Sequence, residues 1–261
     1  MKTVHLQFED LGSGAPLVIL HGLFGSRRNW LTLARRLAAD SRVIAVDLRN
    51  HGDSPHADSM DYLDMAADVD QLLDRLGIDQ AALVGHSMGG KVAMVFALQY
   101  PRRTSHLMAV DIAPVRYRNE FHGLIRAMGE LPVAQLRSRQ QADELLAQTI
   151  GETSLRQFLL HNLVRADPGF RWRINLDGIA REMENICGFP DAVMASRYPG
   201  PALFLAGDRS TYLEARHGDV IQTLFPAAGI HTVRDAGHWV HADQPQAVID
   251  HIQDLVLQLP A

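Results

Sequence analysis

The chain has 261 residues, 47% of them hydrophobic and 21% charged, with a formal net charge of −5. Its only lysines are Lys2 and Lys91, and no basic stripe interleaves with aromatics, so nucleic acid is not an expected partner. No run approaches the ~20 apolar residues of a membrane span, and the opening MKTVHLQFEDLG lacks the pattern of a secretory signal.

Cys187 is the single cysteine, which excludes an internal disulfide and suits a reducing, cytoplasmic setting. The 13 histidines are scattered, with no H-E-x-x-H or similar cluster, so no metal or other cofactor is expected. At this length one core fold carrying an insertion is the natural organisation.

Weak alternation over 4–8 suggests an edge strand, and Leu17-Val18-Ile19-Leu20 is too short and apolar to be anything but a buried strand. That run leads straight into His21-Gly22-Leu23-Phe24-Gly25, a loop whose glycines permit backbone N–H groups to turn inward. A helix is expected over 28–39, with Trp30, Leu33, Ala34 and Leu37 on one face, and a strand over 42–46. In the polar loop from Asp47 to Ser54, Asp47, Arg49 and His51 are expected to hold loops together rather than to react. A further helix over 60–76 stops at Gly77.

The stretch 81–100, AALVGHSMGGKVAMVFALQY, combines a buried strand, the pattern G-x-S-x-G at Gly85-His86-Ser87-Met88-Gly89, and an amphipathic helix ending before Pro101. A serine on a sharp strand-to-helix turn sits in strained backbone geometry, and glycines two residues to either side relieve collisions there. The turn exposes the Ser87 hydroxyl and aims the first N–H groups of the helix at whatever binds, which stabilises negative charge developing on a substrate oxygen.

After a strand over 105–112, residues 115–190 have purely helical periodicity, with helices expected over 131–148 and 154–164. This segment divides the chain into a core of 1–114 and 191–261 and a helical cap over the sheet edge. Strand pattern resumes at Ala202–Ala206, followed by a helix over 212–225, a short strand over 230–233, the loop Asp235-Ala236-Gly237-His238-Trp239, and a last helix over 245–258. Alternating strands and helices make an α/β fold with a mostly parallel, doubly wound sheet, whose sites lie at the carboxyl ends of strands.

Serine is a poor nucleophile at neutral pH and needs a base; His238, late in the chain in a glycine-preceded loop, is the best candidate. His86 is expected to shape the pocket wall. The base in turn needs a carboxylate, and two strand ends compete for that place, Asp111 and Asp208.

His21-Gly22-x-x-Gly25, Gly85-His86-Ser87-Met88-Gly89-Gly90 and Gly237-His238 together resemble the α/β-hydrolase superfamily over essentially the whole chain. In most members the acid stands three residues after the glycine closing the strand that follows the cap. Counting from Gly207, that position here is Ser210. Val110-Asp111-Ile112-Ala113-Pro114-Val115, Ser210-Thr211-Tyr212, Gly237-His238-Trp239-Val240-His241-Ala242 and the cap segment Trp172-Arg173-Ile174-Asn175-Leu176 are similar to the YbfF-type esterase branch.

The resemblance implies Ser87 as nucleophile, His238 as base, Asp111 as acid and Ser210 as an auxiliary hydrogen-bonding residue, with backbone N–H groups of Leu23 and Met88 as the oxyanion hole. The implied activity is hydrolysis of a carboxylic ester or thioester of a small to medium acyl group. The ten arginines between Val115 and Pro190 invite an anionic substrate such as an acyl-coenzyme A, but nearby acidic residues nearly balance them, and a solvated surface is the preferred expectation. The same fold and triad serve carbon–carbon bond cleavage or a lyase step, and some proteins of this fold bind ligands without chemistry. The sequence leaves the physiological substrate and the oligomeric state open.

Overall fold

In the computed structural model, which describes residues 2–257, the apolar runs become strands and the periodic segments helices. Strands β1 (Gln7–Leu11) and β2 (Ala15–Leu20) lead into α1 (Leu31–Leu37) and β3 (Ser41–Asp47). Helix α2 (Tyr62–Arg75) precedes β4 (Ala81–His86), α3 (Met88–Gln99) and β5 (Thr104–Val110). The chain then runs through α4 (His122–Glu130), α5 (Arg139–Leu146), α6 (Thr153–Leu160), the hairpin strands β6 (Leu163–Arg165) and β7 (Phe170–Trp172), α7 (Leu176–Arg181) and α8 (Met183–Cys187). It returns as β8 (Ala202–Gly207), α9 (Gly218–Leu224), β9 (Ala228–Val233), α10 (Val240–Asp243) and α11 (Pro245–Leu257).

Seven strands form one sheet in the order β1-β3-β2-β4-β5-β8-β9, parallel throughout except for β1 against β3. Pairing of Leu20 with Gly85, His86 with Val110 and Val110 with Leu205 aligns the carboxyl ends of β2, β4, β5 and β8 along one edge. The residues leaving those ends, His21, Ser87, Asp111 and the turn after Gly207, therefore converge without any further device.

Side chains alternate across the sheet into two apolar layers. Leu17, Ile19, Val43 and Val84 pack with Trp30, Leu33 and Leu37 and with Val248, Ile249 and Ile252 of α11 on one face. On the other, Val18, Leu20, Ile44 and Leu83 meet α2 and α3. Helix α3, expected to be amphipathic, is buried from Met88 to Leu98. It lies between the sheet and α2, so it is apolar all round where a surface helix would carry a polar face. Fully burying a side chain such as Val92 or Phe96 stabilises by about 1.5–3 kcal/mol, which anchors α3 along its length, and Ser87 at its start, to a rigid layer.

The segment between β5 and β8 departs from the expectation of helices alone. β6 and β7 pair antiparallel; at three residues each they are too short to give a period-two signal. The helix expected over 131–148 is one turn of 3-10 helix at Val133–Gln135 followed by α5, which starts where the Ser138 side chain accepts from the Gln141 N–H at 3.1 Å. The helix expected over 212–225 shortens to α9. Gln258, the expected end of the last helix, lies outside the described residues. No helix among the described residues is long and apolar enough to cross a membrane.

Candidate active site

Ser87 joins β4 to α3 at φ 53° and ψ −118°, a conformation a side chain adopts only under strain. A Cβ at Gly85 would stand 2.1 Å from the Gly89 carbonyl oxygen, and one at Gly89 would stand 2.4 Å from that of Leu20. Only glycine fits either place, so the G-x-S-x-G spacing is the steric condition for presenting Ser87 at the sheet edge.

Three separate elements bring side chains to that hydroxyl. His238, in the loop between β9 and α10, places Nε2 3.1 Å from Ser87 Oγ and Nδ1 2.7 Å from Asp111 Oδ2. Asp111 follows β5 at φ 51° and is fully buried; its other oxygen accepts from the Gly207 N–H at 3.1 Å, and the Ser210 hydroxyl donates to Oδ2. Ser210 Oγ in turn accepts from the Tyr212 N–H at 3.2 Å. Asp208 points elsewhere: it accepts from the Ala236 N–H at 3.1 Å and fastens the loop that carries His238.

The Leu23 and Met88 backbones flank the same hydroxyl. Neither N–H has an acceptor among the described residues, and a Cβ on Gly22 would sit 3.3 Å from Ser87 Cβ, which puts the loop after β2 directly beside the serine. Two buried histidines hold that loop. Leu48 N–H donates to His21 Nε2 at 3.1 Å while His21 Nδ1 donates to the Gly22 carbonyl; Phe24 N–H donates to His51 Nε2 at 3.1 Å while Nδ1 donates to the Arg49 carbonyl. Asp47 accepts from the N–H groups of Arg27 at 2.7 Å and Asp53 at 2.9 Å, and Arg49 pairs with buried Asp68 at 2.6 Å. These residues brace loops, the role expected of them.

Above Ser87 opens a cavity of about 300 Å³. Leu124, Phe121, Leu155 and Phe158 line it from the segment between β5 and β8, and Trp239 and Tyr212 from the returning chain. No arginine lines it. Most of those in the inserted segment turn outward or pair locally, as Arg116 with Glu184 at 3.3 Å and Arg156 with Asp143 at 2.8 Å, while half-buried Arg173 pairs with Asp53 at 3.5 Å.

A family model described as the alpha/beta hydrolase fold matches residues 15–245. The chain is an α/β-hydrolase. It is 44% identical over 251 residues to the sn-1-specific diacylglycerol lipase ABHD11 of Xenopus laevis, covering 93% of this chain and 80% of that one. It is 38% identical over 242 residues to the esterase YbfF of Escherichia coli strain K12, covering 92% of each, and belongs to the branch that protein typifies. A marine microorganism esterase of known structure superposes with a TM-score of 0.94 at 36% identity, over 97% of this chain and 100% of that one.

His86 lines the cavity as expected, but sequence reasoning assigned no site role to the other residues this hydrolase gathers around His238. The Tyr212 ring stacks on the imidazole at 4.1 Å between centroids and 24° between planes. His86 packs 4.7 Å from the rings of both His238 and His241, and Trp30 stacks on His241 at 4.4 Å. His86 Nε2 lies 2.8 Å from the His238 carbonyl oxygen, which ties the base's backbone to the elbow. Burial pushes His86 well below the usual histidine range, His21 down to about 4, and His51 and His241 down to about 3. These four imidazoles are neutral at physiological pH and surround the site without adding charge. Their convergence is not given by spacing, since His21 and His51 come from loops, His86 from the end of β4 and His241 from α10.

Proposed function

We propose that this α/β-hydrolase cleaves carboxylic esters of small to medium acyl groups, thioesters included, through an acyl-enzyme on Ser87. Ser87 Oγ attacks the carbonyl carbon as His238 Nε2 takes its proton. The carbonyl oxygen becomes an oxyanion held by the N–H groups of Leu23 and Met88, the second of them at the N-terminus of α3. Asp111 holds the His238 Nδ1–H and stabilises the imidazolium, and Ser210 steadies the carboxylate. His238 then gives the proton to the leaving oxygen or sulfur, which departs as alcohol or thiol. A water activated by the same nitrogen attacks the acyl carbon, and the ester bond to Ser87 breaks with the proton returning to Oγ.

The observation that carries this reading is the unbroken chain from Asp111 through His238 to Ser87, at 2.7 and 3.1 Å, beside two N–H groups without protein acceptors. The esterase and lipase names of relatives spanning nearly the whole chain support ester cleavage. Carbon–carbon cleavage and ligand binding without chemistry have no observation in their favour. Residues 115–190 act as a cap that shields the acyl-enzyme, with 1–114 and 191–261 as the catalytic core; Asn162 Nδ2 donating to the Phe24 carbonyl at 2.7 Å and Asn175 N–H donating to that of Asn50 at 3.0 Å pin one to the other. A buried, unpaired Cys187 agrees with a cytoplasmic setting.

Hydrolysis of p-nitrophenyl acetate by the purified chain, run beside Ser87→Ala, tests the proposal. Turnover by the wild type and its loss by several orders of magnitude in the variant are expected. A folded wild type inert toward simple esters, or a variant that retains turnover, would contradict it.

A further inference from the structure

One titratable group near Ser87 has no part in that chemistry. Lys91 lies one turn along α3, its N–H donating to the Ser87 carbonyl at 3.1 Å, and its side chain is 1% exposed. Nζ donates to the carbonyl oxygens of Cys187 at 3.0 Å and Gly188 at 2.5 Å. It lies 4.8 Å from the Tyr117 ring centroid and 5.7 Å from that of Tyr62. No carboxylate pairs with it among the described residues, and its third N–H has no acceptor there. A buried ammonium without an anion is costly to keep, and an apolar side chain of similar length would pack at no such cost.

Lys91 opens onto a notch of about 30 Å³ that adjoins the larger cavity across Leu23, Ser87, Phe121 and Tyr212 and is lined also by Met88, Tyr117 and Cys187. Ser87 therefore stands between two spaces. His238, which must hand its proton to the leaving group, lines the larger cavity and not the notch, so the alcohol or thiol portion occupies the larger one. Of the residues carrying the oxyanion N–H groups, Leu23 lines both spaces and Met88 lines the notch and not the larger cavity, which leaves the notch for the acyl chain.

Resting on the acyl transfer at Ser87 argued above, we propose that this notch is the acyl subsite and that Lys91 selects short acyl groups bearing an oxygen acceptor within a few bonds of the carbonyl. The notch has room for only a few heavy atoms. The unfilled N–H is its strongest polar feature, and an ether, hydroxyl or carboxylate oxygen of the acyl chain completes the lysine's hydrogen bonding.

Protonation of Lys91 governs the selection. Burial lowers its pKa to about 7. Once neutral, it has two N–H groups, both engaged by the Cys187 and Gly188 carbonyls, and turns a lone pair toward the substrate oxygen. The groups facing it do not charge in that range: burial raises the Cys187 thiol and the Tyr62, Tyr117 and Tyr212 phenols, while Arg116 is held by Glu184.

The test compares p-nitrophenyl methoxyacetate with p-nitrophenyl butyrate, which differ by an ether oxygen in place of one methylene. The ratio of their kcat/KM values is divided by the ratio of their hydroxide-catalysed rates, which removes intrinsic reactivity; any pH dependence common to both esters cancels. The wild type at pH 6 is expected to favour the methoxyacetate by about ten-fold or more. The preference should fade as pH rises through about 7–8 and be lost in Lys91→Met. If that variant does not fold, the wild-type pH profile of the ratio decides alone. A ratio of one at every pH, or a kcat/KM that climbs steadily from acetate to octanoate, would overturn the proposal. If both esters are inert with the wild type, it is the acyl-transfer reading that fails, and this one with it.

Discussion

Replacing Asp111 by asparagine keeps the shape of the side chain and exchanges one carboxylate oxygen for an NH2 group. In the native protein that carboxylate is fully buried and meets three donors, His238 Nδ1, the Ser210 hydroxyl and the Gly207 N–H. An amide has one acceptor to offer. With its oxygen kept on Gly207, the NH2 faces His238 Nδ1 and forces the imidazole into the tautomer with the hydrogen on Nε2, which cannot take a proton from Ser87. The imidazolium formed during attack also loses its counter-charge. Together these should lower kcat/KM on p-nitrophenyl acetate by about 10³–10⁴-fold, or about 4–5.5 kcal/mol of barrier at 1.36 kcal/mol per decade. Asp208→Asn removes only a brace on the Ala236 N–H at 3.1 Å and should cost a few-fold at most. Steady-state kinetics on both variants, with circular dichroism to verify folding, measures the ranking. Asp208→Asn as the more damaging change would refute the assignment of Asp111.

Ser210→Ala removes a charge-assisted hydrogen bond to Asp111 and should lower kcat/KM by about 10–100-fold with little change in KM; an unchanged kcat would show that the hydroxyl is idle. Gly85→Ala drives a methyl into the Gly89 carbonyl, 2.1 Å from the ideal Cβ position, and should lower the thermal midpoint sharply or prevent folding; a native melting curve would disprove the steric account of the elbow. His21, His51 and His241, held near pKa 4, 3 and 3 by burial, remain neutral in the fold while the unfolded chain protonates them below about 6.5. The contribution of these three groups should therefore be flat above that pH and fall as pH drops from 6.5 toward 4, by up to about 1.4 kcal/mol per pH unit for each group. Urea midpoints that agree between pH 7.5 and 5.5 would contradict this.

The strands around the site were legible because parallel strands buried on both faces leave unbroken apolar runs, as in Leu17–Leu20 and Ala202–Ala206, and because the elbow admits only glycine beside its serine. The branch resemblance brought Asp111 and Ser210 forward where pattern alone left Asp111 and Asp208 level: each ends a strand, and only the backbone turn after β5 aims the first at His238. The β6–β7 hairpin was missed because three residues are too few for periodicity, and the helix at 131–148 was overdrawn because it was carried across Pro132 and the 3-10 turn at Val133–Gln135. Lys91 was given no role in a helix expected to be amphipathic. Its significance depends on what packs over α3, and that is decided by the turn at Cys187 and Gly188, far along the chain.

Acyl transfer through Ser87 is tested most directly by rapid acid quench of the enzyme with p-nitrophenyl acetate, followed by intact-mass and peptide mass spectrometry. The expected result is a burst of p-nitrophenolate stoichiometric with enzyme and one acetyl group on the peptide containing Gly85–Gly89, located at Ser87 and absent in Ser87→Ala. Steady turnover with no adduct under any quench time, or an acetyl group on another residue, would contradict it.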